Sequence, residues 1–106
     1  MSPERRKLGS TSVIYLLVNA VVHTHDDSLP IAQALAVRDG RIVEVGGSDE
    51  ILWLREDDYE VIDLDGRTVV PVSGMLAPGK PANFNVLDGE NTVEAWLEGV
   101  RRMVRP

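Results

Sequence analysis

Cysteine is absent from this chain, histidine occurs twice, and the aromatic side chains are two tryptophans, two tyrosines and one phenylalanine. Without thiols neither a disulfide framework nor a thiolate metal site can form, which fits a reducing compartment, and the cytoplasm is the expected location. Long apolar runs are missing too. No stretch approaches the roughly 18 residues of a membrane span, and Met1 to Ser12 is polar where a secretory signal has its apolar segment. Positive charge is in the minority: 11 Lys+Arg face 17 Asp+Glu, for a net charge of -6. Such a balance repels a polyanionic backbone and argues against nucleic acid as a partner. The cations gather at the ends, in Arg5-Arg6-Lys7 and in Arg101, Arg102 and Arg105, and read as solvated termini. At 106 residues the chain makes one domain, less than half of the roughly 250 residues a (β/α)8 barrel takes. Residues 1–12 are read as a disordered tail and 13–106 as the domain.

What is present is a succession of short extended segments. Val13 to Val18 is rich in β-branched and aromatic residues, and Asn19-Ala20 separates it from Val21 to Thr24. A polar loop closed by Pro30 follows, and Ala34 to Arg38 is extended again. Asp39-Gly40 then has the chemistry of a type I′ turn, whose central residues need positive φ, and predicts a hairpin with Arg41 to Val45. After Gly46-Gly47, Ser48 is placed to cap a short helix with Asp49 and Glu50 in its first turn. Ile51, Leu52, Trp53 and Leu54 give that helix an apolar side. Asp65-Gly66 predicts a second hairpin between Tyr59–Leu64 and Arg67–Val70. Turn signals every eight to twelve residues, roughly, indicate a mainly β fold, a small β-sandwich with one short helix. Beyond Pro81, Asn83 to Leu87 alternates as a half-buried strand does. In the tail, Val93, Trp96, Leu97, Val100 and Val104 recur at helical spacing, and pattern alone slightly favours a helix. Against it stands Gly99, which costs about 1 kcal/mol inside a helix and nothing in a turn.

Three groups of residues tempt a chemical reading. His23-Thr24-His25 is the chain's His-x-His, and on an extended backbone residues i and i+2 face the same way, so both imidazoles could reach one metal ion. Zinc normally takes three or four protein ligands, and Asp26 and Asp27 alone lie nearby in sequence. Asp57-Asp58 and Asp63 with Asp65 are paired carboxylates, but no nucleophile or base stands beside them. Gly46-Gly47-Ser48 could present amides to an anion, yet it lacks the lysine and spacing of a phosphate loop. Surface histidines, solvated loop acids and a helix cap account for all three. No catalytic residue, cofactor or metal ligand is assigned.

Leu17-Val18-Asn19-Ala20-Val21-Val22, then Ala34 to Ile42, then Val61 to Pro71 together resemble the N-terminal segment of the amidohydrolase superfamily of metal-dependent hydrolases. In that family a Val-Val-Pro strand leads into a catalytic barrel whose first strand ends in a His-x-His metal motif. Here Val69-Val70-Pro71-Val72-Ser73-Gly74 runs directly into Met75 to Asp88, which resembles the segment that follows the barrel, with Asn83 where aspartate is usual and Asn85 where an apolar residue is commoner. Ala95 to Val100 is similar to the closing strand, glycine turn and strand, and tips the tail toward a hairpin. His23 and His25 precede the Val-Val-Pro strand, so the family's ligand role does not carry over to them.

The resemblance implies the family's composite β-sandwich, with 71–74 the junction where a barrel would be inserted. The expected role is non-catalytic: an accessory domain that buttresses and helps assemble. The alternative is a metal-dependent hydrolase acting on C–N bonds, active only with a barrel supplied elsewhere. Homo-oligomerisation through the surface that would face a barrel is expected, with Leu52, Trp53 and Trp96 as its exposed residues. No membrane partner is expected.

Overall fold

The computed structural model describes residues 13–55 and 58–104, so the proposed tail 1–12, Asp57 and Arg105 lie outside the described residues. It is mainly β, with ten strands in two sheets and one short helix among those residues. The strands are β1 (Ile14–Val18), β2 (Val21–His23), β3 (Ile31–Ala32), β4 (Ala34–Arg38), β5 (Arg41–Gly46), β6 (Tyr59–Asp63), β7 (Thr68–Pro71), β8 (Phe84–Asp88), β9 (Asn91–Leu97) and β10 (Val100–Met103), and the helix α1 is Ser48–Leu52. The first sheet has the order β5-β4-β1-β6 and the second β10-β9-β8-β7-β2-β3.

Three strand pairs turn the corner from one sheet into the other. β1 runs parallel to β6 in the first sheet, and their continuations β2 and β7 run parallel in the second. β3 likewise leads into β4, antiparallel to its neighbour in both sheets. Left-handed Asn19 (φ 57°) and Asp65 (φ 52°) make the bends, and Gly66 N–H donates to the Asn19 carbonyl at 2.7 Å to bind one bend to the other. The expected Asp65-Gly66 hairpin is therefore corrected: β6 and β7 lie in different sheets, and this turn is a corner. Asp39-Gly40 does close the β4–β5 hairpin, with Arg38 opposite Arg41.

Period-2 alternation decides what the sheets bury. One face of β1 and β4 sends Leu17, Leu35 and Val37 to meet Val22, Val69, Phe84, Val86 and Trp96 of the second sheet in the main core. Trp96 stacks on Phe84 with ring centroids 5.3 Å apart and meets Tyr15 edge-on at 5.7 Å. The other face, Ile14, Leu16, Val18, Ala34 and Ala36, is buried beneath α1 through Ile51. Residues of β1 and β4 are buried on both faces, which explains their nearly unbroken apolar sequence.

Two helix expectations change. The N-cap is Gly47 rather than Ser48. Glu50 Oε1 returns to accept from Gly47 N–H at 2.8 Å, while Ser48 Oγ accepts from Asn19 N–H at 3.0 Å and thereby pins the β1–β2 bend. Trp96, expected on the surface, is fully buried, Leu52 is half-buried, and Trp53 alone of the three is open to solvent, at 85% exposure.

The tail is a hairpin, β9 and β10 around Glu98-Gly99, with Leu97 opposite Val100 and Glu94 opposite Met103. Glu94 is buried, and its carboxylate holds the hairpin together. Arg101 donates to Oε1 and Oε2, both at 3.0 Å, and Trp96 Nε1 donates to Oε1 at 3.0 Å. Arg101 is thus corrected from solvated terminus to a partner of a buried acid. Burial opposes ionisation of Glu94, but hydrogen bonds from Arg101 and Trp96, with the charges of Arg101 and Arg67, outweigh it and hold the carboxyl below its ordinary range. The same hydrogen bond to Glu94 raises Arg101 above the usual guanidinium value.

Candidate functional site: the junction between β7 and β8

β7 ends at Pro71, and the chain returns to the sheet at Asn83 and Phe84. Both points are held together, because Val72 N–H donates to the Asn83 carbonyl at 3.1 Å and Pro71 pairs with Phe84. Between them Ser73, Gly74 and Met75 are exposed. Gly74 is left-handed (φ 69°), and a Cβ there would meet nothing within 4 Å. The connection then dives back: Leu76 is buried, and its N–H donates to the Thr24 carbonyl at 2.8 Å.

Thr24 is the residue the sequence reading passed over. It is fully buried. Its hydroxyl donates to the Leu29 carbonyl and accepts from Asp26 N–H at 3.0 Å, and its own N–H donates to the Pro30 carbonyl at 3.0 Å. A β-branched residue with a hydroxyl, set between two histidines at a strand end, was the available signal.

The return segment is also fixed to the N-terminal half. Gly79 N–H donates to the Ile42 carbonyl and Ile42 N–H to the Lys80 carbonyl, each at 2.8 Å, while Ala82 N–H donates to the Gly40 carbonyl at 2.9 Å. Asn83 Oδ1 accepts from Glu98 N–H at 2.6 Å. An aspartate at this position would offer the same acceptor. The turns Asp39-Gly40 and Glu98-Gly99 touch so closely that a Cβ on Gly40 would stand 2.7 Å from the Glu98 carbonyl oxygen.

A shallow groove of about 470 Å³ opens over this junction, lined by His25, Ser73, Gly74, Met75, Lys80, Pro81 and Asn83. It offers one imidazole, one ammonium, one hydroxyl and one amide. That set holds no carboxylate to orient the imidazole as a general base. β2 ends at His23, and His25 is left-handed (φ 59°), so the strand alternation on which a shared metal site was premised does not extend to it. Among the described residues no three His, Asp or Glu side chains converge on a point where a metal ion could sit. Asp63 Oδ1 accepts from Asp65 N–H at 2.9 Å as part of the corner, and Asp58 is exposed. The amides of Gly47 and Ser48 are taken by Glu50 and Gln33, so they present nothing to an anion.

The structure is similar to a metal-dependent hydrolase from Pyrococcus furiosus, with a TM-score of 0.50 and 27% identity over 55% of this chain and 13% of that one. Over part of its length, this chain resembles metal-dependent hydrolases. Among curated relatives, the N-substituted formamide deformylase of Arthrobacter pascens is 43% identical over 56 residues, 53% of this chain and 10% of its own. The exoenzymes regulatory protein AepA of Pectobacterium carotovorum subsp. carotovorum is 34% identical over 86 residues, 80% of this chain and 18% of its own. The chain therefore spans less than a fifth of the length of either. No family model matches it. No helix among the described residues is long and apolar enough to cross a membrane.

Proposed function

We propose that this chain is the composite β-sandwich of an amidohydrolase-type protein, closed at residues 71–74 without a catalytic barrel, and that its role is structural rather than catalytic. The observation that carries this reading is the junction itself. The chain leaves the sheet at Val72 and re-enters it at Asn83 across one hydrogen bond of 3.1 Å, with solvent-exposed Ser73, Gly74 and Met75 between. Two ends this close can be joined by a short bridge or by a whole inserted domain without moving the strands on either side.

An insertion experiment tests it. Fifteen Gly/Ser residues placed after Gly74 should cost about 1 kcal/mol, the loop-closure entropy of lengthening a connection already on the surface. The same insertion after Gly40 should prevent folding, because that turn is packed against Glu98-Gly99. Unfolding by the Gly74 insertion would remove the reading. The rival reading, a hydrolase acting on C–N bonds, predicts zinc-dependent turnover of an amide panel that disappears in His23→Ala/His25→Ala. We expect turnover no greater than that of the double variant.

A further inference from the structure

We propose that the open side of the sandwich, bounded by β6 and β10, is the surface on which a second copy of this chain docks, with β6 of each copy pairing with β10 of the other. The inference does not depend on the barrel reading. It moves the expected self-association away from Leu52, Trp53 and Trp96, of which Trp96 is buried and Trp53 exposed, to two strand edges.

Both edges lie on one side of the molecule. Tyr15 of β1 packs on Trp96 of β9, and β6 and β10 are the outer neighbours of those two strands. Glu60, on the core-facing side of β6, is close enough for its charge to act on Arg101. Among the described residues neither edge has a neighbour beyond it in its sheet, so each presents main-chain groups that no described strand pairs. On β10 these can be named. Val100 and Arg102 sit opposite Leu97 and Ala95, and Val104 N–H donates to the Val93 carbonyl at 2.9 Å. The N–H and C=O groups of Arg101 and Met103 therefore point outward.

Charge selects the pairing. β6 carries Glu60 and Asp63 and is preceded by Asp58, whereas β10 carries Arg102 beside Arg101, whose charge is already engaged by Glu94. Among the described residues no carboxylate pairs with Arg102. Like edges brought together would set arginines against arginines or acids against acids. Unlike edges attract. A two-fold axis beside this open side that exchanges the first and second sheets would set β6 against the partner's β10 twice and close the assembly. Pairing would also cover apolar side chains that both edges leave in water, Tyr59, Val61 and Val100, and Met103 at 65% exposure.

Sedimentation velocity over about 5 to 500 µM, at roughly 50 and 500 mM salt, reads the association directly. The wild-type chain should form a dimer that weakens with salt. Met103→Pro removes one outward N–H and leaves the β9–β10 ladder intact, so it should raise the dissociation constant roughly tenfold or more. Arg102→Glu should do the same by reversing a charge. Circular dichroism should show both variants folded. A chain that stays monomeric throughout overturns the proposal. So does a dimer indifferent to salt and to both variants, and so does one that only Trp53→Ala dissociates, since that places the interface on α1.

Discussion

Asp39-Gly40 and Asp65-Gly66 are the same dipeptide with the same backbone, φ of 54° and 77° in one and 52° and 84° in the other, yet they serve different parts of the architecture. The first closes a hairpin and is wedged against a second turn from the far end of the chain. The second is a corner where a strand passes between sheets, and around its glycine a Cβ would find nothing within 4 Å. Turn chemistry specifies the local bend in both cases. What the bend is used for depends on which strand finds which partner, and that is set by burial on a scale the dipeptide does not encode.

The comparison predicts unequal costs for equal substitutions. Gly40→Ala should be the most damaging, about 3 kcal/mol or more, since left-handed strain of about 1 kcal/mol adds to a backbone collision that only separation of the two turns relieves. Gly99→Ala meets the Gly40 Cα at 2.7 Å and should behave alike. Because both variants damage one contact, the double variant should cost less than the sum. Urea denaturation of the three proteins gives the answer. Strictly additive losses would mean that the two turns do not depend on each other.

The other end of the same hairpin is anchored by charge, which sharpens the contrast with the corner turn. Glu94→Gln keeps the shape but gives up charge-assisted bonds to Arg101, and should cost about 2 kcal/mol near neutral pH. The pH dependence follows from the sign. Glu94 has a folded-state pKa below its unfolded value, so its contribution is fully present above the unfolded carboxylate value of about 4.3 and is lost as pH falls through the folded one. Thermal melts should therefore find wild type and Glu94→Gln far apart at pH 7 and converging below about pH 4. A gap that persists there would assign the loss to packing.

Sequence reading found most strands, missed the two-residue β3, and failed at their partners, for a physical reason visible in particular residues. Period-2 alternation in Asn83 to Leu87 and the apolar run at Val13 to Val18 both announce strands, and both are strands. Asp65-Gly66 predicts a hairpin and makes a corner, because a turn residue cannot state whether the next strand folds back or continues into another sheet. Ser48 has the chemistry of an N-cap, but the hydroxyl was needed at Asn19, twenty-nine residues away. Glu94 carried a usable signal: it shares a strand face with Trp96, so a buried tryptophan implies a buried acid, and a buried acid requires a cation. The order of the phrases flanking 71–74 predicts a bridge there, and what the structure shows is an exposed connection whose ends are held by the Val72–Asn83 hydrogen bond. Thr24 was legible only in part: its hydroxyl serves the local turn to Leu29, but its carbonyl's bond from Leu76 N–H exists only once the chain has returned from β7.

The smallest effect is the one that tests the comparison most closely. Gly66→Ala meets no neighbour and should lose only the backbone term, about 1 kcal/mol for holding alanine at positive φ. Gly66→Asn should recover part of that loss, because asparagine tolerates the left-handed region. At Gly40 the same exchange should recover nothing, since Asn still carries the Cβ that collides with Glu98. Rescue at one turn and not at the other would separate a glycine kept for its φ from a glycine kept for its missing side chain.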